Sequence, residues 1–191
     1  MKQIPMQLTP IQKEMLDNGA SYVVVPIELS EYQRIHKNNI QQITWQGNDS
    51  YWRNIEIPYQ IGDEIFFQEE FETCSIKNDN RKILYREKDT EFENRIIWKP
   101  YDKMTYEQSR YKYKILDIEI VRVQNLNDKH IYSCGIERED TEIMLENGDT
   151  IGCYISLNSS FEKYFNQLMQ QQNETVRYED NPYIALIKIK E

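Results

Sequence analysis

The stretch Ile61-Gly-Asp-Glu-Ile-Phe-Phe-Gln-Glu-Glu-Phe71 says more about the fold than any other part of the chain. Gly62-Asp63 is typical of a turn, because glycine adopts the positive φ angles that many turns need. The apolar run that follows it is typical of a buried strand. Glu69 then stands where that pattern favours an apolar or a neutral side chain. The stretch therefore predicts a turn that feeds a core strand carrying an acid.

The sequence before this stretch predicts a helix and then a strand. Thr9-Pro10 begins the helix, with threonine as the N-cap and proline in the first turn. Asn18-Gly19 ends the helix in the manner of a C-cap. The β-branched run 22–27 is typical of a strand, and Pro26 predicts that this strand lies at a sheet edge or ends there, because proline lacks an amide donor.

The remaining elements are mostly strands, with two further helices. The sequence from 28 to 50 predicts a short helix capped by Ser30, followed by a loop. A slip in the apolar alternation near Asp117 predicts a bulge or a barrel bend. Asn-Gly within residues 146–149 predicts a hairpin turn between two strands. Strands are predicted over residues 52–58, 81–85, 95–98, 111–123, 143–145, 151–157 and 183–189, and helices over residues 127–134 and, capped by Ser159 or Ser160, to Met169.

Composition and charge limit the class of protein. The 191 residues fit one domain, 1–191, and 14 tyrosines suit strands and barrel interiors. The net charge of −9 disfavours non-specific binding to a nucleic-acid backbone, which needs clustered lysine and arginine. Three cysteines without CxxC spacing, two unpaired histidines and no signal peptide or apolar span predict a cytoplasmic protein with no metal, no cofactor and no membrane contact.

Several short motifs also follow one another in a recognisable order, and together they cover residues 9–190. The motifs are Met15-Leu-Asp-Asn-Gly19, Tyr59-Gln-Ile-Gly-Asp63 with Phe67-Gln-Glu69, Trp98-Lys-Pro100, Met104, Ser109-Arg110, Asp117-Ile-Glu-Ile-Val-Arg-Val-Gln-Asn-Leu126, Gly135-Ile136, Phe161 and Asn181-Pro-Tyr-Ile-Ala-Leu-Ile187. The series resembles the ASCH superfamily, a group of PUA-like β-barrel domains, and in particular its branch common in phages and prophages. The resemblance implies an α+β fold: a small mixed β-barrel with peripheral helices and, in this chain, insertions near residues 30–50 and 137–158.

The resemblance also bears on activity. ASCH relatives that hydrolyse an acetylated cytidine use a lysine, a threonine and a glutamate, and these correspond by position to Ala20, Val23 and Cys134. None of the three replacements offers the base or amine that would activate water. The resemblance therefore implies a non-catalytic binding module for RNA, a nucleotide or a modified nucleobase. Two alternatives stay open: an amidohydrolase rebuilt around Glu69, Ser21 or Cys134, and an acidic, host-directed factor that binds a protein.

Four residues are candidates for ligand binding: Glu69, Arg110, Trp98 and Ser21. Glu69 would accept hydrogen bonds from a base, Arg110 would hold phosphate or carboxylate, and Trp98 would stack on a base. Glu69, Arg110 and Trp98 also have a structural interpretation. Glu69 would pair with Arg110 or Arg122, since buried charges are normally paired, and Trp98 would belong to the core.

Two further patterns have the same double interpretation. Cys134 would be a nucleophile beside His130, four residues earlier, or a small core residue. Residues 111–114 alternate tyrosine with lysine, which suits either a single-stranded nucleic acid or a strand with one buried and one solvated face. Tyr101 and Tyr106 would add to a stacking surface near Trp98.

Overall fold

A computed structural model of the chain shows an α+β fold. It describes residues 1–27, 34–37, 43–46, 52–54, 57–76, 80–86, 88–89, 91, 96–138, 140–144 and 150–191. The helices are α1 (Pro10–Asp17), α2 (Asp128–Ser133) and α3 (Leu157–Gln171). The strands are β1 (Gln3–Gln7), β2 (Tyr22–Ile27), β3 (Arg34–Lys37), β4 (Ile43–Gln46), β5 (Trp52–Asn54), β6 (Glu64–Gln68), β7 (Phe71–Ile76), β8 (Asn80–Tyr85), β9 (Lys112–Lys114), β10 (Asp117–Arg122), β11 (Asp140–Met144), β12 (Thr150–Tyr154) and β13 (Tyr183–Lys188).

The described strands form five separate sheets. One three-stranded sheet has the order β1-β6-β9, with β1 parallel and β9 antiparallel to β6. A second has the order β10-β13-β2 and is antiparallel throughout. The others are the meander β3-β4-β5 and the pairs β7-β8 and β11-β12. Among the described strands, no pairing closes these sheets into a barrel.

The sheet β10-β13-β2 lies in the middle, because its two faces belong to two different apolar cores. Val23, Ala185 and Ile187 pack with Ile65 and Phe67 of the other sheet, and we call this cluster the sheet core. The alternate residues of the same strands point the opposite way and pack against the helices in the helix core. The members of the helix core include Val24, Ile184, Leu186, Phe161, Phe165 and Leu168. The two-residue period of strands separates the two sets.

The Gly62-Asp63 turn joins the first sheet together. Gly62 has a φ of +94° and donates its N–H to the carbonyl of Ile115, while the Ile115 N–H donates to the carbonyl of Asp63. The carboxylate of Asp63 accepts the backbone N–H of Lys2 at 2.8 Å. The turn thereby fixes the start of β1 beside β6, and it explains why a buried aspartate follows the glycine.

The helix and strand at the start of the chain agree with the sequence prediction. Thr9 caps α1 and forms a capping box with Gln12, and Gly19 follows the helix with a φ of +87°. Strand β2 is at the edge of its sheet, as Pro26 indicates. Asn127 caps α2, and its side chain accepts the N–H of His130.

Other sequence predictions were wrong in detail. The strand over residues 111–123 is two strands, β9 and β10, in different sheets, and the slip near Asp117 marks the crossing between them. The described part of residues 28–50 holds β3 and β4 where a short helix was expected, while Ser30 lies outside the described residues. Ser156 caps α3 in place of Ser159 or Ser160.

Two more predicted elements are a strand and a hairpin turn. Residues 96–98 are not a strand, although Lys99 forms an isolated antiparallel bridge with Phe71. The hairpin turn at 146–149 lies outside the described residues, but β11 and β12 pair on either side of it. No helix in the described part of the chain is both long enough and apolar enough to span a membrane.

Candidate functional site

Glu69 and Arg110 form a bidentate ion pair at the end of β6. Arg110 donates from Nε to Oε1 of Glu69 at 2.7 Å and from Nη2 to Oε2 at 2.6 Å. Glu69 is 3% exposed, so its charge is buried, whereas 21% of the Arg110 side chain remains exposed. Both carboxylate oxygens are therefore engaged by the guanidinium fork. Of the two arginines considered from the sequence, the partner is Arg110.

Aromatic rings enclose the same guanidinium group. The centre of the Arg110 guanidinium lies 4.7 Å from the Tyr85 ring and 5.2 Å from the Tyr111 ring. Burial alone would lower the pKa of Arg110, but the hydrogen bonds and charge of Glu69 raise it. Arg110 is thus a permanently charged group with stacked rings around it.

Hydrogen bonds from neighbouring residues hold Arg110 in place. Ser109 donates its Oγ to the carbonyl of Phe67 at 2.7 Å, and Tyr85 donates its hydroxyl to the carbonyl of Gln108 at 2.8 Å. Tyr111 donates its hydroxyl to Asp17 at 2.8 Å. Burial, followed by this hydrogen bond, raises the pKa of Tyr111 to about 12. The segment before β9 is consequently fixed to β6 and to the end of α1.

Residues 98–114, here called the basic–aromatic segment, present cations on aromatic rings. The Nζ of Lys112 lies 4.8 Å from the centre of the Tyr106 ring, and Tyr101 is 38% exposed in a 3-10 turn. Nearby, Lys190 lies over the Tyr113 ring at 5.2 Å. Five cations, Lys99, Lys103, Arg110, Lys112 and Lys114, accompany five aromatic residues, Trp98, Tyr101, Tyr106, Tyr111 and Tyr113.

The two other candidate residues, Trp98 and Ser21, take no part in the hydrogen bonds between Glu69 and Arg110. Trp98 is half-buried, and its Nε1 is buried without a hydrogen-bond partner among the described residues. Ser21 donates its N–H to the carbonyl of Ser133 at 2.8 Å and accepts the N–H of Ile189 at its own carbonyl. Ser21 therefore links the end of α2 to the central sheet, away from the hydrogen bonds that organise Arg110.

The three positions that the sequence resemblance compared with catalytic residues of the ASCH superfamily are apolar and buried. Ala20 and Cys134 lie in the helix core and Val23 in the sheet core. Burial raises the pKa of the Cys134 thiol to about 12, so it is not a thiolate at neutral pH. The cavity beside Ala20 and Val23 has a volume of about 10 Å³, which leaves room for one water molecule at most.

His130 does not activate this thiol. Its Nε2 lies 3.5 Å from a carboxylate oxygen of Glu119, and its carbonyl accepts the backbone N–H of Cys134. A nucleophile and its base would need side chains within hydrogen-bond reach. Across the described residues, no three His, Cys, Asp or Glu side chains are grouped as a metal would require.

A cleft that the sequence did not indicate lies between α1, α3 and residues 135–138. We call it the α1–α3 cleft, and its volume is about 490 Å³. Two stripes at helical spacing line it, one beginning at Ile11 and the other at Ser160. The same spacing occurs on any helix surface, so sequence periodicity alone does not reveal that α1 and α3 are separated by a cleft.

Comparison of the chain with protein-family models, curated proteins and solved structures finds no match.

Proposed function

We propose that this chain is a non-catalytic binding module that holds single-stranded RNA on the basic–aromatic segment. The observation that carries the proposal is the local reversal of charge. The chain has a net charge of −9, yet residues 98–114 contain five cations against the two acids Asp102 and Glu107. Three of the five cations are paired with acids: Lys99 with Glu72, Lys103 with Asp102 and Arg110 with Glu69. A cationic track interleaved with aromatic rings is how proteins hold single strands, with phosphates on the cations and bases on the rings.

Each group has a definite role in this proposal. The exposed ammonium groups of Lys103 and Lys112 contact phosphates, and Tyr101 stacks on a base. Arg110 contacts a phosphate through the N–H groups that Glu69 does not occupy. Glu69 is a positioning residue, because both of its oxygens already bind Arg110 and are not open to a base.

The proposed fold is the PUA-like barrel of the ASCH superfamily, in the branch common in phages and prophages. The order of the sequence motifs supports it, as does the face-to-face packing of two three-stranded sheets around the sheet core. The RNA preference rests on this resemblance. The apolar side chains at Ala20, Val23 and Cys134 support a binding role over hydrolysis of an acylated cytidine.

The test is a titration of the protein with a short single-stranded RNA at low salt, followed by fluorescence anisotropy. Tyr101→Ala is expected to weaken binding by about 5- to 150-fold, the loss of one stacked base. Lys112→Gln is expected to lower the slope of log affinity against log salt by about 1. Lys129→Gln on α2 removes the same charge elsewhere on the surface and is the matched control.

Three outcomes would contradict the proposal. RNA that fails to bind more tightly than about 1 mM at low salt would exclude it and favour a role in binding a protein. Equal losses in Lys112→Gln and Lys129→Gln would show that the contact is not localised to the segment. Release of cytidine from N4-acetylcytidine by the purified protein would revive the hydrolase alternative.

A further inference from the structure

The α1–α3 cleft shares no residue with the basic–aromatic segment, so it raises a separate question of function. A hydrogen bond from the Ile11 N–H to the Oε1 of Gln171 joins the first turn of α1 to the end of α3. Residues 135–138 form the third side. A volume of about 490 Å³ lies within the range of small-molecule sites, roughly 300–1,000 Å³.

A buried hydroxyl in the wall of the cleft indicates a missing partner. Ser160 is 4% exposed, and its Oγ has no hydrogen-bond partner among the described residues. Its backbone N–H donates to the carbonyl of Ser156 at 3.0 Å, so the helix itself is intact there. A buried polar group without a partner is unfavourable, and a polar ligand that reached the Oγ from the cleft would remove that cost.

The walls of the cleft carry opposite charges. Glu14 lines it from α1 and Lys163 from α3. Glu137 and Arg138 add one charge of each sign at the third side, and an Nη2 of Arg138 lies 3.8 Å from a carboxylate oxygen of Asp128. A ligand with a single sign of charge, such as a nucleic-acid strand, would match only part of this lining.

Apolar side chains complete the lining. Ile11, Met15 and Ile136 contribute hydrocarbon surface between the charged groups. Binding sites for small molecules typically combine such apolar surface with a few polar groups that orient the ligand. The matching ligand has an ammonium group, a carboxylate and an apolar body.

We propose that the α1–α3 cleft binds an amphiphilic zwitterion of dipeptide size. Its ammonium group faces Glu14, its carboxylate faces Lys163, and its apolar side chains lie on Ile11 and Met15. Ser160 hydrogen-bonds to the peptide unit and so gains its missing partner. The role is independent of RNA binding.

Isothermal titration calorimetry with three matched peptides tests the chemistry of the ligand. The probe is L-leucyl-L-leucine, compared with its N-acetyl derivative, which lacks the cation, and its C-terminal amide, which lacks the anion. Each single removal is expected to weaken binding about tenfold or more, the loss of one hydrogen bond to a charged group. Equal affinity for the three peptides, or no binding of the probe tighter than about 10 mM, would overturn the proposal.

Variants of the protein then assign each charge to its wall. Glu14→Gln is expected to weaken the dipeptide about tenfold and leave the N-acetyl peptide unchanged. Lys163→Gln is expected to weaken the dipeptide similarly and leave the amide unchanged. Glu162→Gln and Lys129→Gln make the same changes outside the cleft and are the controls. Losses in a control as large as in its partner would overturn the assignment.

Ser160→Ala separates a ligand-binding role from a structural one. The variant loses no hydrogen bond within the described protein, so its midpoint of urea unfolding is expected to stay unchanged or to rise. Affinity for the dipeptide is expected to fall about fivefold or more. Unchanged affinity would overturn the role of Ser160. Lys112→Gln is expected to leave dipeptide binding unchanged, which keeps failure of this proposal distinct from failure of RNA binding.

Discussion

Glu69 and Ser160 are equally buried, at 3% and 4% exposed, but their hydrogen bonding is opposite. Both oxygens of Glu69 are bonded to Arg110, whereas the hydroxyl of Ser160 has no partner among the described residues. The difference follows from what burial costs each group. An unpaired buried carboxylate costs several kcal/mol, while an unpaired hydroxyl costs roughly 1–3 kcal/mol.

The comparison shows that a buried acid is weak evidence for a ligand site. Glu69 drew attention in the sequence because a carboxylate follows an apolar strand, yet its partner is part of the protein. The sequence indicated Ser160 only as a possible helix cap, a role that Ser156 fills. In the structure the neutral hydroxyl lies without a partner in the wall of the α1–α3 cleft, while the acid is bonded within the protein.

The largest expected effect comes from breaking the Glu69–Arg110 pair. Arg110→Met would leave the carboxylate of Glu69 buried without its counter-charge, and we expect a loss of about 3–5 kcal/mol in the free energy of unfolding. The double variant Glu69→Leu with Arg110→Met removes both charges and is expected to recover most of that loss. Urea unfolding followed by circular dichroism measures both.

A neighbouring ion pair provides the control. Arg86 pairs with Glu70, one residue after Glu69, and both side chains are about two-fifths exposed at 44% and 40%. Arg86→Met is expected to cost less than about 1 kcal/mol, because water solvates the remaining acid. If Arg110→Met cost no more than Arg86→Met, burial would not be what makes the Glu69 pair important.

An intermediate loss of stability is expected from a change at Gly135, which lines the α1–α3 cleft together with Ser160. Its φ is +78°, and a Cβ there would lie 2.7 Å from the carbonyl oxygen of Met15. Gly135→Ala combines a left-handed backbone with a clash against α1, and we expect a loss of about 2 kcal/mol or more. Weaker dipeptide binding should accompany it, because the loop forms one side of the cleft.

Two other glycines separate the cost of a left-handed backbone from the cost of the clash with Met15. Gly19 has a φ of +87° but open space around its Cβ position, so Gly19→Ala measures backbone strain alone, about 1 kcal/mol. Gly152 has neither a positive φ nor a close neighbour, and Gly152→Ala is expected to be nearly neutral. Equal losses at Gly19 and Gly135 would show that the contact with Met15 is relieved at no cost.

The sequence correctly predicted features that depend on interactions between residues close together in the chain. The caps at Thr9 and Asn127 and the edge position of Pro26 follow from side chains acting on their own backbone. Strand β1 was missed because Gln3–Gln7 contains a proline and little apolar periodicity, and its pairing partner lies about 60 residues away. Long-range pairing leaves no mark in a short window of sequence.

At the candidate site, too, some contacts could be predicted from the sequence and others depend on long-range packing. The pairing of Glu69 with Arg110 was one of two arginine pairings considered, because a buried acid is normally paired with a cation. The stacking of Tyr85 on Arg110 was not foreseen, since β8 reaches that position only through its hairpin with β7. The α1–α3 cleft was missed for a related reason: the gap between two helices depends on how each packs on the helix core.

Apart from the control variants, the smallest expected effect concerns Asp17, which supports the Arg110 site from an exposed position. Its carboxylate accepts hydrogen bonds from Lys13 at 2.7 Å and from the Tyr111 hydroxyl at 2.8 Å. The hydrogen bond from Lys13 has the largest influence and, with the Tyr111 hydrogen bond and the charges of Lys13 and Arg110, lowers the pKa of Asp17 below its ordinary value of 3.8, against the opposing effect of burial. The ionised form is therefore favoured by folding.

The sign of the pH dependence follows from that lowered pKa. The stabilisation is fully present above the unfolded pKa of Asp17 and is lost as the pH falls through the folded value. We expect wild type to exceed Asp17→Asn by about 0.5 kcal/mol at pH 6, since 46% exposure lets solvent screen the pair. The difference should shrink towards zero as the pH falls below about 4, and it should also shrink in 1 M salt. Urea unfolding of both proteins from pH 2 to pH 7 measures it. A difference that stays constant over this range would mean that Asp17 acts through its hydrogen bond to Tyr111, which asparagine preserves only in part, and not through its charge.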